Sequence, residues 1–212
     1  MNKIIKKYFD QVYKAEKKIF GKAVFLKNLK NVSILPISTG DLNSCSLNYL
    51  KESLKSDLYI VYGSSYIKGK LAKFLIKNKA INIHMGISPY YRGTDCNFWA
   101  LYDGNPHLVG ATIHYLSNKL DGGRIISHAM SKKTNSSFIY TMNSVKSAFN
   151  FIIKNIKNNK ILKIKSYRQN KNLLIRYSRK KEFSPILLKK YLKKPFAKKI
   201  SFNLKLLVNP HF

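Results

Sequence analysis

The sequence predicts an α/β fold built on a mostly parallel sheet, and three observations carry that prediction. Two short apolar runs, residues 58–61 and 80–84, flank a helical stretch at 71–77, so strand, helix and strand follow within about 25 residues. A connection of that kind is a right-handed crossover between parallel strands. Two more strand candidates follow at 109–116 and 123–129. Finally, residues 136–156 carry Phe138, Met142, Val145, Phe149, Ile152, Ile153 and Ile156 at helical spacing, the apolar stripe by which a helix covers a sheet. That stripe reads as packing and not as a cofactor site.

The remaining elements follow in order. Residues 1–20 read as an amphipathic helix, with Ile4, Ile5, Tyr8, Val12 and Ile19 near one face, lysines opposite and Gly21 as the stop. Residues 31–37 read as a short strand and 46–54 as a helix. The segment 94–102 is a helix whose Phe98, Trp99 and Leu101 belong to the core, and Asp103-Gly104-Asn105-Pro106 is a turn. Pro185 suits the first position of a helix over 186–192.

The stretch 81–124 concentrates the chemistry. Side chains alternate along a strand, so Ile81 and Ile83 take one face while Asn82 and His84 take the other. The amide and the imidazole thus stand together where the strand runs into Met85-Gly86, at the carboxyl edge where open α/β sheets bind ligands. Thr112 and His114 share a face of the 109–116 strand. Asp121 follows it in a polar loop before Gly122 and Gly123, which allow close backbone approach.

The pieces Asn82-x-His84, Ser88-Pro89-Tyr90-Tyr91-Arg92-Gly93, Gly110-x-Thr112-x-His114 and Asp121-x-Gly123-x-Ile125 occur in this order. Together they resemble the signature of the folate-dependent formyltransferases. That family includes methionyl-tRNA formyltransferase, glycinamide ribonucleotide transformylase and the sugar-nucleotide N-formyltransferases. The likeness is clear from Asp57 to Met130. It implies a Rossmann-like fold, N10-formyltetrahydrofolate as co-substrate, and Asn82, His84 and Asp121 as the catalytic set. It also implies that Ser65, Tyr66, Ile67 and Leu120 line the folate pocket, with Arg92 and His114 toward the acceptor. Arg92 reads either as a loop anchor or as a partner for an acceptor phosphate. His114 reads as lining the site or as packing beside it.

These residue types suit acyl transfer to an amine. The oxyanion that forms needs preorganised donors, which the Asn82 amide and a His84 N–H can supply. The attacking amine loses a proton and the folate nitrogen gains one, a relay for which Asp121 is placed. A carboxylate beside His84 also favours its imidazolium form. The amine is itself the nucleophile, so no serine is required. His107 and His128 read as structural, and no His/Cys/Asp cluster has metal-ligand spacing.

Composition bounds the rest. The 212 residues are 45% hydrophobic, enough for a globular core. Cys45 and Cys96 form neither a disulfide framework nor a metal pattern, the charged opening is no secretory leader, and a reducing cytoplasm is the expected compartment. The net charge of +31 favours anionic partners. Only five of the 40 basic residues are arginine, the usual reader of phosphates and bases, so compositional bias explains most of the excess lysine.

Residues 1–156 are therefore expected to form the catalytic core and 157–212 a basic C-terminal extension, with Glu182 its sole acid. The resembled family opens with a βαβ half whose first strand is central in its sheet, and no stretch here matches it. A second polypeptide, a substitute strand or a truncated, non-catalytic remnant are the three readings of that gap. The extension looks too short for the barrel domain of the tRNA enzyme. The expected acceptor is thus an amino-sugar nucleotide for surface polysaccharide, with methionyl-tRNA as the alternative and a homodimer as an allowed assembly.

Overall fold

The computed structural model describes residues 2–22, 30–132, 134–197 and 199–212. Its main sheet has four strands in the order β1 (Ile60–Tyr62), β2 (Ile81–His84), β4 (Gly110–Tyr115) and β5 (Ile125–Met130). The expected crossover is present: β1 and β2 are parallel and are joined through α2 (Gly69–Lys77). Both neighbours of β4 pair with it antiparallel. Three of the four strands therefore share one direction and β4 is reversed, because the chain returns from β4 to β5 through a tight loop and not through a helix.

Helix α4 (Ser137–Lys157), capped by Ser136, covers one face of β4 and β5. Its Ala148, Phe151 and Ile152 join Ile81, Ile83, Ala111, Ile113 and Ile126 in one core cluster. Helix α1 (Lys3–Phe20) lies on α4 and on α5 (Pro185–Lys193). Tyr8 enters an aromatic group with Phe98, Phe138, Phe183 and Tyr191. Trp99, on α3 (Cys96–Tyr102), is buried in the same core.

Two expected elements are absent. Residues 31–37 form no strand: Pro36 cannot donate to a ladder, and Val32, Ile34, Leu35 and Ile37 are exposed. Residues 46–54 form turns with a 3-10 turn at Ser53–Lys55 in place of a helix. There the Ser46 hydroxyl accepts from the Tyr49 N–H and the Ser56 hydroxyl donates to the Ser53 carbonyl, local bonds that compete with helical ones. Leu47, Leu50 and Leu54 still pack under the sheet.

The extension contributes a strand that the sequence did not announce. β6 (Arg176–Ser178) pairs in parallel with β3 (Tyr91–Gly93). Further along, the backbone of Val208 and His211 bonds to His128 and Met130, covering the outer edge of β5.

At the opposite end of the sheet, β1 has no strand on its outer side among the described residues, and Ile60 and Tyr62 are each more than two-fifths exposed. An apolar, unpaired edge invites pairing between chains. The protein should therefore associate with rising concentration in light scattering, and Ile60→Lys should weaken that association. A clean monomer at all concentrations would show that the edge is covered.

Candidate functional site

The register of β2 on β4 fixes the site. Asn82 lies opposite His114, and His84 opposite Thr112. Asn82 Nδ2 stands 3.0 Å from His114 Nε2, while His114 Nδ1 is 2.8 Å from the Tyr115 carbonyl. Burial holds the His114 pKa down at about 4, so the ring is neutral at physiological pH. A neutral ring that donates from Nδ1 must accept at Nε2, and Asn82 is the donor. One Asn82 amide hydrogen is thus committed and the other is left for the cavity. His114 is almost fully buried, so its contacts hold Asn82 rather than reach outward.

His84 is held on both sides. Its Nδ1 lies 3.3 Å from Asp121 Oδ1, and its Nε2 lies 3.2 Å from the Tyr91 carbonyl oxygen. The other Asp121 oxygen accepts the Gly93 N–H at 3.0 Å. Asp121 sits in the left-handed region at φ 48°, which turns its side chain back toward β2. Space is tight: a Cβ at Gly86 would come 2.7 Å from His84 Nε2, and one at Gly123 would come 1.7 Å from the Tyr115 oxygen. Thr112 braces the turn after β2, donating to the Gly86 carbonyl at 2.6 Å and accepting the Ser88 N–H at 2.8 Å.

These groups open onto one cavity of about 660 Å³. Asn82, His84, His114 and Asp121 line it, and so do Ser65, Tyr66, Ile67 and Leu120. Apolar walls come from Val61, Ile76, Met85 and Leu116. Among the described residues, the backbone amides of Ser65, Tyr66 and Ile67 have no partner. Arg92 is not on the cavity wall: its guanidinium donates to the Leu120 carbonyl beneath the loop and lies against Gly122, so the loop-anchor reading describes its contacts. Lys119 and Lys171 approach it there, and the hydrogen-bond contact with Lys119, followed by the charge of Lys119 and Arg92, lowers the Lys171 pKa.

Two supporting residues had no signal in the sequence. Asn43 imitates a strand partner, donating to the Tyr66 carbonyl at 2.8 Å and accepting the Lys68 N–H at 2.7 Å. Gln169 donates to the carbonyls of Asp121 at 2.7 Å and Gly123 at 2.8 Å. Each is an amide far along the chain from what it holds, outside any recognisable spacing.

The family described as formyl transferase matches residues 40–147. A methionyl-tRNA formyltransferase from Listeria innocua is 37% identical over 75 residues, covering 35% of this chain and 24% of that protein. A phosphoribosylglycinamide formyltransferase from Haemophilus influenzae is 35% identical over 111 residues, 50% of this chain and 47% of that one. The chain thus spans about a quarter and about half the length of these two relatives. A Mycobacterium tuberculosis protein taken to be a sugar N-formyltransferase shares the fold, with a TM-score of 0.52 at 18% identity over 81% of this chain and 71% of that one.

Burial makes a further property measurable. His128 is also buried and held down at about 4, with Nε2 on the Ser88 carbonyl and Nδ1 accepting the Val208 N–H. For both histidines the folded pKa lies below the unfolded one, so the unfolded chain takes up protons first as pH falls. The stability they contribute is complete above about 6.5 and is lost down to about 4. The urea midpoint should therefore drop between about pH 7 and about pH 5, before most carboxylates titrate. A flat midpoint over that window would contradict the buried neutral rings.

Proposed function

Because this chain belongs to the formyl transferase family, we propose that it transfers a formyl group from N10-formyltetrahydrofolate to a primary amine. The observation that carries the reading is the convergence of Asn82, His84 and Asp121, from β2 and the loop after β4, on a single cavity. The cavity fits the co-substrate. Its volume is within the usual range for small-molecule sites, its walls are apolar, and the free amides of Ser65, Tyr66 and Ile67 suit the polar edge of a pterin. Leu120 and Ile67 would close over the ring. When bound, the folate supplies the formyl group and a leaving nitrogen.

The chain's own residues divide the remaining work. The free Asn82 hydrogen donates to the formyl oxygen as negative charge grows there, and His114 holds the amide for that purpose. Asp121 takes the proton of the attacking amine and passes it toward the leaving nitrogen, with His84 Nδ1 3.3 Å from its Oδ1 to orient it. The two engaged nitrogens of His84 fit this relay role better than that of a second oxyanion donor. Asn82→Ala, His84→Ala and Asp121→Ala should each cut formyl transfer by about a hundredfold or more. Full activity in the triple variant would remove the assignment.

For the acceptor, a nucleotide-linked amino sugar is favoured. The segments 85–93 and 97–99 resemble the sugar-modifying branch, the extension is short, and arginine is scarce. Lys119 lines the cavity, with Lys171 and the anchored Arg92 close to it, and that positive charge suits a diphosphate. Methionyl-tRNA is the competing acceptor, supported by the +31 charge. The two differ in salt response. A tRNA complex covering about six phosphates loses orders of magnitude in affinity between about 50 and about 200 mM salt, and a diphosphate much less. An acceptor panel followed by tetrahydrofolate release at both salt levels should show turnover with an amino-sugar nucleotide. Turnover with initiator methionyl-tRNA alone would overturn the sugar reading.

A further inference from the structure

The His84–Asp121 pair is held by backbone that belongs to β3. The Tyr91 carbonyl meets His84 Nε2 at 3.2 Å, and the Gly93 N–H meets Asp121 Oδ2 at 3.0 Å. β3 is three residues long and lies outside the main sheet, and its ladder partner is β6 of the extension. Two backbone amides, of Ile175 and Arg176, converge on the Tyr90 carbonyl at 2.9 and 3.0 Å. The Thr94 N–H reaches the Ser178 carbonyl at 3.1 Å, and a Cβ at Gly93 would lie 2.0 Å from that same oxygen.

Side chains fasten the same junction. Arg176 forms a two-pronged pair with Asp103, Nε at 2.9 Å from Oδ2 and Nη2 at 2.8 Å from Oδ1. Its guanidinium lies 4.4 Å from the centre of the Trp99 ring. Asp103 also accepts the Tyr91 hydroxyl at 3.2 Å, so the residue that offers its carbonyl to His84 is tied by its own side chain to Arg176. On the other side of the pair, Gln169 bonds the carbonyls of Asp121 and Gly123 with a single NH2 group. That loop has two glycines and a left-handed Asp121, so it has little stiffness of its own.

We infer that Gln169 and Arg176 are positioning residues for the His84–Asp121 pair, so that the segment 169–178 is part of the working site and not an appendage to it. Gln169 fixes the backbone from which Asp121 projects. Arg176 fixes, through Asp103 and Tyr91, the carbonyl and the N–H that grip both partners. Neither touches substrate. The kinetic part of the inference rests on the formyl-transfer reading; the geometric part does not.

The test uses Gln169→Met, which keeps the volume and removes both donors, and Arg176→Met, each in the full chain. The direct reporter is the Gly93 amide, followed by 15N NMR for its proton shift and exchange rate, because its hydrogen is bonded to the Asp121 carboxylate. Both variants should move that shift and speed exchange. They should lower kcat by about tenfold or more, as small misplacements of catalytic groups do, and change KM for the formyl donor by less than about threefold. Arg176→Lys keeps a charge on Asp103 without the fork or the stacking, so its kcat should fall between Arg176→Met and the parent. If Arg176→Met does not fold, Gln169→Met and Arg176→Lys decide the matter. A Gly93 amide unchanged from the parent in the folded variants, or a loss confined to melting temperature with kcat intact, would overturn the inference. A moved Gly93 amide in a chain inert toward every amine would support the positioning and count against formyl transfer.

Discussion

The antiparallel pairing of β2 with β4 is the constraint on which the site depends. Strand side chains repeat with period two, so the register that buries Ile81, Ile83, Ala111 and Ile113 also stands Asn82 beside His114 on the other face. A slip of one residue would send the apolar set to the cavity and the polar set into the core. Stability and chemistry are therefore locked to one choice of register. The apolar side makes that choice decisive, since the four residues are almost wholly buried.

Low dielectric then sorts the two histidines of this face. His114, with no carboxylate in contact, stays neutral and acts as an acceptor for an amide. His84, at the strand end, lies between the Asp121 carboxylate and the Tyr91 carbonyl, so both of its nitrogens are engaged by oxygen. Two residues apart on β2 and β4, the same ring type is assigned different work by what each nitrogen faces.

Much of this was legible in the sequence because it is local. The crossover from β1 to β2, the strand faces of Asn82 and His84, the glycines around Asp121 and the helix α4 itself follow from periodicity or turn chemistry. The stripe read on α4 is displaced, with Ile152 buried but Ile153 and Ile156 exposed while Tyr140, Ala148 and Phe151 take the core face. What was not legible is tertiary. The reversal of β4, the pairing of β3 with β6 and the amides of Asn43 and Gln169 depend on partners tens of residues away. Residues 31–37 and 46–54 show the opposite error: local pattern suggested regular elements, but no neighbour arrived to stabilise a strand and side-chain bonds broke up a helix. His114 lines the cavity, and its bonds with Asn82 and Tyr115 are ones that no spacing rule encodes.

The β3–β6 junction has a consequence for how the protein comes into being. Ser178 and Arg92 are 86 residues apart in the chain, and Gln169 and Asp121 are 48 apart. The ladders of the main sheet close over shorter intervals, and its apolar face is covered once α4 follows β5. The grip on His84 and Asp121 waits for the extension to leave the ribosome and dock. A nascent chain can thus hold a covered sheet while His84 and Asp121 are still loosely arranged, and the grip on that pair is among the last contacts to form.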